Sequence, residues 1–412
     1  MNRVEQVFLN SLEAALRGAS LEPQPELTEA EWAQLMTMAQ SHHVLPMVFE
    51  AVFRLPGIEN APFFQTVKQQ VRRQVMLQVL KTNEFLTLNR DLRAAGVRPL
   101  VVKGIICRNL YPNPDLRQSG DEDLLIPPEQ FPACHAALAA CGMEPADPGV
   151  DFEQAYEIPY GKPGSPLYLE LHRYLFPPDS EAYGNLNRFF ENTQVCEEVI
   201  QGEPILTLAP TEHLFYLICH AFKHFLHSGF GIRQVCDIIM FARHDGNRID
   251  WERILENCRQ IRAERFTAAL LRIGQLYLGF NPEAACLPAC WLDIQVDEKP
   301  MLEDLLNSGV FGDAELSRKH SSTITLTAVA DQNRGRGKRS GILKSLFPSA
   351  GALEKRYPYL KKYPFLLPVA WGARIVHYGS EIRSSRNNTA AGAVKIGTRR
   401  VELLKQYGIL DR

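Results

Sequence analysis

The feature that most constrains the fold is the run Asp-Glu-Asp-Leu-Leu-Ile at 121–126, which places carboxylates directly before an apolar stretch. On a β-strand, side chains at i and i+2 share a face, so Asp121 and Asp123 would stand side by side. Neighbouring carboxylates repel unless a cation sits between them, and oxygen ligands of this kind suit Mg²⁺ or Mn²⁺. We therefore predict a metal site at the leading end of a strand that Leu124 and Ile126 anchor in a core. A water-exposed pair that caps a turn is the alternative.

A second acidic strand is predicted at 169–172, which reads Leu-Glu-Leu-His. Glu170 and His172 again stand at i and i+2, with leucines facing the other way. If this strand lies beside the first, Glu170 completes a site of three carboxylates, with His172 close by. Three carboxylates can hold two metal ions, an arrangement suited to in-line phosphoryl or nucleotidyl transfer. An exposed hairpin residue is the alternative for Glu170.

Apolar spacing and turn residues divide the chain into helices and short strands. Helical spacing dominates up to residue 95, with a capping box at Thr28 and Glu31 and a long helix at the end of this segment. Short strands then alternate with helical stretches, and the Gly-Lys-Pro-Gly-Ser turn at 161–165 predicts a hairpin. After Pro177 the spacing is helical. The predicted fold class is therefore α+β, with a small mixed β-sheet core flanked by an N-terminal helical segment and a C-terminal helical domain.

The chain is expected to comprise four segments. Its net charge of −2 conceals a basic last segment, since residues 331–412 carry 17 Lys and Arg against 5 Asp and Glu. The predicted segments are an N-terminal helical segment at 1–95, an α/β core at 96–178, a helical domain at 179–317, and a basic linker with a C-terminal cover or tail at 318–412.

The motifs and their order resemble a known family. They are Leu-Val-Val-Lys-Gly at 100–104, Leu-Tyr-Pro at 110–112, Arg-x-x-Gly-Asp-x-Asp-Leu-Leu at 117–125 and Leu-Glu-Leu-His at 169–172. Together they resemble a bacterial family of uncharacterised nucleotidyltransferases within the polymerase-β-like superfamily, over about residues 10–280. The resemblance implies a nucleotidyltransferase core that moves a nucleoside monophosphate from a nucleoside triphosphate, ATP by default, to an acceptor hydroxyl with Mg²⁺ or Mn²⁺.

The resemblance also implies roles for the acidic residues. Asp121 and Asp123 would be ligands of the catalytic metal, and Glu170 would be the third carboxylate that helps to activate the attacking group. Glu170 or His172 would assist deprotonation of the acceptor. The alternation of side chains along the two predicted strands leads to the same residues.

A second set of residues would hold the nucleotide. Lys103 and Gly104 stand where the superfamily has a Gly-Gly or Gly-Ser turn, so their backbone and the lysine ammonium would hold triphosphate oxygens. Arg117, Ser119 and Gly120 would be further nucleotide contacts. The sequence departs from the superfamily here, because the usual Gly-Ser is absent and the run up to the first aspartate is longer. A solvated lysine and an arginine paired with a nearby aspartate are the alternatives.

Three histidines, His220, His224 and His227, share one face of a predicted helix, and such spacing can bind zinc. No acidic residue lies between them as a general base, so packed or cleft-facing histidines are favoured. The following Asp237 is expected to pair with Arg233 one helical turn away. The nine cysteines are scattered and are expected to be reduced.

Partners and location are less constrained by the sequence. The basic region at 331–362 could face phosphate, an acidic membrane surface or the acidic body of the protein, and the last, or a flexible solvated loop, is favoured. The aromatic and lysine-rich stretch at 357–378 is expected to pack as a cover over the helical domain, with contact to a membrane surface or to a single-stranded nucleic acid as the alternatives. No apolar run is long enough to span a bilayer, so a cytoplasmic protein is expected. The acceptor is unidentified: a small molecule, peptide, glycan, RNA or protein remains open. A non-catalytic nucleotide- or partner-binding scaffold and a metal-dependent phosphotransferase are the alternative functions.

Overall fold

The structure is a computed structural model that describes residues 1–23, 25–55, 58, 61–153, 155–178, 180–308, 316–333, 353, 357–373 and 390–411. Within these residues, seven strands form one mixed sheet. The strands are β1 (Leu100–Val102), β2 (Glu122–Leu125), β3 (Glu144–Pro145), β4 (Glu157–Gly161), β5 (Tyr168–His172), β6 (Val195–Ile200) and β7 (Glu203–Leu208). Their order across the sheet is β3-β4-β5-β2-β1-β7-β6.

The register of the central strands aligns the two acidic motifs. Strand β2 is antiparallel to β1 and parallel to β5, and Asp123 lies opposite Val102 on one side and Glu170 on the other. Paired positions in neighbouring strands project to the same face of a sheet. The carboxylates of Asp123 and Glu170 therefore lie on one face, and Glu122 and Leu124 lie on the opposite face.

Helices cover both faces of the sheet. The face that carries Leu124 packs with the C-terminal half of a long helix and with a second, shorter helix in one apolar core. The other face packs with the N-terminal and C-terminal helices in a larger core. The helices up to the end of the sheet core are α1 (Arg3–Leu16), α2 (Glu29–Ser41), α3 (Leu45–Phe53), α4 (Pro62–Ala94), α5 (Gly104–Asn109) and α6 (Phe131–Ala140).

The C-terminal helices begin directly after β7. Helix α7 packs against α8, and the last helix packs along α13. Their bounds are α7 (Pro210–Leu226), α8 (Ile232–Asp245), α9 (Trp251–Gln260), α10 (Glu264–Tyr277), α11 (Ala289–Leu292), α12 (Lys299–Leu306), α13 (Leu316–Asn333), α14 (Tyr359–Lys362) and α15 (Ala390–Gln406).

The α+β fold class is confirmed, including the predicted hairpin of β4 and β5 and the capping box at Thr28. The hairpin of β6 and β7 was not predicted, because the chain after Pro177 was expected to be helical. Its two-residue turn, Gln201-Gly202, has positive φ at both residues, as tight hairpins require. The sheet therefore extends past residue 178. The division of the chain into four segments remains a proposal.

Most of the basic region at 331–362 lies outside the described residues. In the described part of the 357–378 stretch, Phe365 is 73% exposed and Val369 is 59% exposed, and membrane contact there remains a prediction. Among the described residues, no helix is long and apolar enough to cross a bilayer. The expected cytoplasmic location also stays a prediction.

Candidate active site

Asp123 lies at the centre of the site and is 1% exposed. Its Oδ1 is 3.1 Å from Nε2 of His172, and its Oδ2 is 3.0 Å from Nζ of Lys103. Burial opposes the charge of this carboxyl, but the Lys103 charge and the bond to His172 outweigh it and lower its pKa to about 2. Burial opposes the charge of Lys103 as well, but the same ion pair outweighs this effect and holds the pKa of Lys103 well above its usual value. Asp123 is therefore a buried carboxylate near the start of β2 whose charged form is favoured.

Glu170 and His172 complete a compact group with Asp123. Nε2 of His172 is 3.5 Å from Oε2 of Glu170, and one ligand atom from each of the three residues lies within 4.8 Å of the others. Burial opposes protonation of His172, but its hydrogen bonds to the two carboxylates outweigh this effect and raise its pKa to about 9. Among the described residues, this is the group of three that has the spacing of a metal site.

Asp121 stands just before β2 and is partly exposed. It lines a cavity of about 280 Å³ between the sheet and helices α7 and α8, together with Glu157 and Glu170 on the sheet side. Asp121 and Glu170 of the predicted acidic set thus line one opening, whereas Asp123 is buried. Asp121 does not belong to the compact group of Asp123 and its two neighbours. Carboxylate oxygens form this wall of the cavity.

Cations form the opposite wall, where Lys223 and Arg233 line the cavity from α7 and α8. Burial lowers the pKa of Lys223, and burial with the nearby charge of Arg117 lowers the pKa of Arg233. The guanidinium of Arg233 donates to the carbonyl of Gln118, while its buried Nε has no hydrogen-bond partner within the described chain. The cavity therefore separates a carboxylate wall from a wall with positive charge.

The turn between β1 and α5 has a feature that the sequence analysis missed. Lys103 has a φ of 55°, and Gly104 a φ of 32°. A Cβ on Gly104 would lie 1.9 Å from Oε2 of Glu122, which accepts a hydrogen bond from the amide of Ile105 at 2.7 Å. The carboxylate that meets the start of α5 is thus the protein's own Glu122. Both Lys103 and Gly104 still line the cavity, so their contact with phosphate remains a prediction.

Two buried cations hold the loop before β2. Arg108, 1% exposed, donates to Glu122 Oε1 and to the Ser119 hydroxyl at 2.6 Å each. Lys81 of α4 donates to the carbonyl of Ser119 at 3.1 Å and to that of Gly120 at 2.6 Å. Burial lowers the pKa of Lys81 to about 8. Ser119 and Gly120 are thus placed by partners that are distant in sequence, and no local signal indicates those partners.

Arg117 is engaged with the helical part of the protein. Its guanidinium binds the carboxylate of Asp237 through two contacts, Nε to Oδ1 at 3.0 Å and Nη2 to Oδ2 at 2.5 Å. Tyr111 donates to the same carboxylate at 2.8 Å. The expected pairing of Asp237 with Arg233 is therefore wrong, because Asp237 points to the loop before β2 rather than along its own helix.

The histidines of α7 divide between two places. His220 and His224 line the cavity, their Nε2 atoms lie 3.3 Å apart, and Lys103 Nζ is 3.2 Å from His220. Burial and the Lys103 charge hold the pKa of His220 well below its usual value, and burial with Lys223 lowers that of His224 to about 3. His227 lines a different cavity. Two neutral imidazoles thus face the cleft, and within the described chain they do not belong to a three-residue metal group.

The sheet aligns the two acidic strands beside a cavity that α7 and α8 complete. The family model described as uncharacterised nucleotidyltransferase matches residues 28–279, more than half of the chain. The chain belongs to this family, as its motifs predicted. No curated protein and no solved structure matches the chain.

Proposed function

We propose that the protein is a nucleotidyltransferase that uses Mg²⁺ or Mn²⁺ to move a nucleoside monophosphate from a nucleoside triphosphate, ATP by default, to an acceptor hydroxyl. The observation that supports this proposal is the compact group of Asp123, Glu170 and His172, of which Glu170 lines the same cavity as Asp121. The family match supports the reaction class.

The donor set fits a hard divalent cation. Asp121, Asp123 and Glu170 offer carboxylate oxygens, the ligand type that Mg²⁺ prefers. Lys103 and His172 balance the buried negative charge of Asp123. Positive charge is therefore favourable next to the oxygens of Asp123. A bound metal would polarise phosphoryl oxygens and neutralise charge that develops on them. We assign the three carboxylates as its ligands.

The opposite wall suits the triphosphate. Arg233 is a buried cation and Lys223 a partly buried one, and anionic phosphates are the partners that would offset their desolvation. Lys103 lines the same cavity. Arg117 lines it as well, although Asp237 already accepts hydrogen bonds from two of its guanidinium nitrogens. We therefore assign the triphosphate to the side of α7 and α8.

In the proposed reaction the acceptor oxygen attacks the α-phosphorus and forms a phosphate ester. The bond from the α-phosphorus to the bridging oxygen breaks, and pyrophosphate leaves. The bonds of His172 to two carboxylates outweigh its burial and raise its pKa to about 9, which favours a protonated side chain that stabilises negative charge. Glu170, a partly exposed carboxylate that lines the cavity, would accept the proton of the acceptor hydroxyl.

The test is label transfer and nucleotide binding with each of the four α-labelled nucleoside triphosphates, with Mg²⁺ or Mn²⁺ and with a chelator. We expect metal-dependent binding in the wild type, and its loss in Asp121→Asn/Asp123→Asn. The matched control is Glu144→Gln, an exposed carboxylate at the far edge of the same sheet, which should bind as the wild type does.

Two outcomes would redirect the assignment. If the wild type binds no nucleotide in a metal-dependent way and matches the double variant, nucleotidyl transfer is wrong and a binding scaffold takes its place. If product carries label from the γ-phosphate rather than the α-phosphate, the protein is a phosphotransferase with the same metal site.

A further inference from the structure

A second cavity, of about 610 Å³, adjoins the site on the side away from β1. Its volume lies within the range of small-molecule sites, roughly 300–1,000 Å³. The ends of β4 and β5, the segment that follows β5, the C-terminus of α7 and one side of α13 surround it. Its lining includes three tyrosines, two glutamates, an arginine and a histidine.

Two chain segments lead directly from the first cavity to the second. In β4, Glu157 lines the first cavity and the preceding Tyr156 lines the second. In α7, His224 lines the first and His227, about one turn on, lines the second. The ring of Tyr156 also lies 6.5 Å from that of His172. A molecule in the second cavity therefore lies next to the carboxylates where the acceptor must react.

The lining of the second cavity favours a cation. Three tyrosines, Tyr156, Tyr174 and Tyr183, line the cavity, and the faces of aromatic rings attract positive charge. Glu153 and Glu181 add carboxylates to the same lining.

Arg173 adds one positive charge to this lining, against two carboxylates. The guanidinium of Arg173 lies over the ring of Phe131 at 4.4 Å and donates to the carbonyl of Phe152. Burial, with the charge of Lys223, lowers the pKa of His227 to about 4, so this side chain is neutral near pH 7.

Helix α13 completes the cavity from outside the region that the family model matches. Leu326, Thr327 and Ala330 line it. The hydroxyl of Thr325 donates to the carbonyl of Leu226 at 2.8 Å. The side-chain amide of Asn333 donates to the carbonyl of Ala182 at 3.0 Å. The helix is therefore fixed at both ends of this wall.

We propose that the second cavity binds the acceptor, and that this acceptor is a small hydroxylated amine, such as an amino sugar, whose protonated amine meets the tyrosine and glutamate lining. The inference rests on the proposed function, because it names the molecule whose hydroxyl attacks the nucleotide. The hydroxyl oxygen forms the new bond to the α-phosphorus. The bond from the α-phosphorus to the bridging oxygen breaks, pyrophosphate leaves with the electron pair, and the hydroxyl proton passes to Glu170.

Glucosamine and N-acetylglucosamine are matched probes, because acetylation removes the positive charge and keeps the sugar ring. We expect calorimetric titration to show glucosamine binding about tenfold more tightly, as an aromatic and acidic lining predicts. Tyr174→Ala removes a ring that is 42% exposed, so the variant should fold, and glucosamine affinity should fall about tenfold. Thr327→Trp fills the cavity and should remove binding. The control is Tyr168→Ala, a tyrosine 38% exposed on β5 that lines neither cavity.

The readouts separate this inference from the proposed function. Equal affinity for both sugars, or no glucosamine binding, would overturn the cationic ligand. Binding that Tyr174→Ala and Thr327→Trp leave unchanged would overturn its place. With ATP and Mg²⁺, glucosamine should increase pyrophosphate release, and bound glucosamine without any increase would overturn the acceptor role. In contrast, Asp123→Asn should abolish release yet keep glucosamine binding, and absence of metal-dependent ATP binding would contradict the proposed function alone.

Discussion

At the turn from β1 to α5, a glycine and a carboxylate determine each other's positions. Gly104 has no side chain, so Glu122 can bring Oε2 to the place that a Cβ would occupy and accept the amide hydrogen of Ile105. Arg108 satisfies the other oxygen of this fully buried carboxylate. The same β2 strand presents Asp123 on its opposite face, so the packing of Glu122 sets the position of the candidate metal ligand.

Gly104→Ala is expected to destabilise the protein by about 1–3 kcal/mol, because the new methyl group overlaps Glu122 and the residue already has a positive φ. Urea unfolding measures the change in the free energy of unfolding. Gly120→Ala is the control, since a Cβ there would meet nothing within 4 Å. An unchanged midpoint for Gly104→Ala would show that Glu122 is free to move aside.

Residue periodicity identified the acidic pair and Glu170 because strand side chains alternate, and that rule needs only local sequence. It gave no role to Glu122, which belongs to the apolar face and looks like one more charge in an acidic run. Side-chain alternation could not predict that Lys81 and Asp237 contact the loop before β2. Their contacts join residues 39 and 120 positions apart, and such pairs follow from packing rather than from local pattern.

Among the elements, α4 does more than cover the sheet. This helix runs from Pro62 to Ala94, and its inward face places Lys81 under the loop that leads into β2. Apolar spacing predicted the helix, since its buried positions recur with the helical period. The turn at 201–202 that pairs β6 with β7 was missed, because Gln-Gly is a weaker turn signal than Asn-Gly.

The buried ammonium of Lys81 gives a pH dependence with a definite sign. Its pKa falls from 10.5 to about 8 in the folded protein, so folding costs free energy wherever the group stays protonated. Between pH 8 and 10.5 the unfolded chain binds more protons at this residue, and its contribution to stability rises with pH. The difference in unfolding free energy between the wild type and Lys81→Met should therefore shift by up to about 3 kcal/mol in favour of the wild type. A difference that is flat over this window would contradict the burial of the charge.

At the scale of the whole molecule, one buried ion pair joins the sheet core to the C-terminal helices. Arg117 stands in the loop before β2, Asp237 stands on α8, and their side chains are 4% and 7% exposed. Tyr111 adds a third group to this contact. The cleft lies between the two parts, so this contact sets the distance between its carboxylate wall and its cationic wall. Sequence analysis found both residues but not the pairing.

Arg117→Met should lower the free energy of unfolding by about 3–5 kcal/mol, because it leaves Asp237 charged and buried without its ionic partner. Arg90→Met, which removes the ion pair of a solvent-exposed arginine with Glu203, should cost much less, because solvent screens such a pair. Chemical denaturation of the two variants beside the wild type measures both values. Similar costs for the two variants would mean that the buried pair does not hold the two parts together.

Helix α13 lies outside residues 28–279 yet forms one wall of the second cavity. The residues proposed for chemistry and part of the surface proposed for substrate choice are therefore encoded in separate stretches of the chain. A relative with a different sequence after the matched region would keep the same reaction and present a differently shaped groove to its substrate. Exchange of C-terminal segments between family members would then transfer the preference for one acceptor over another without altering the reactive centre.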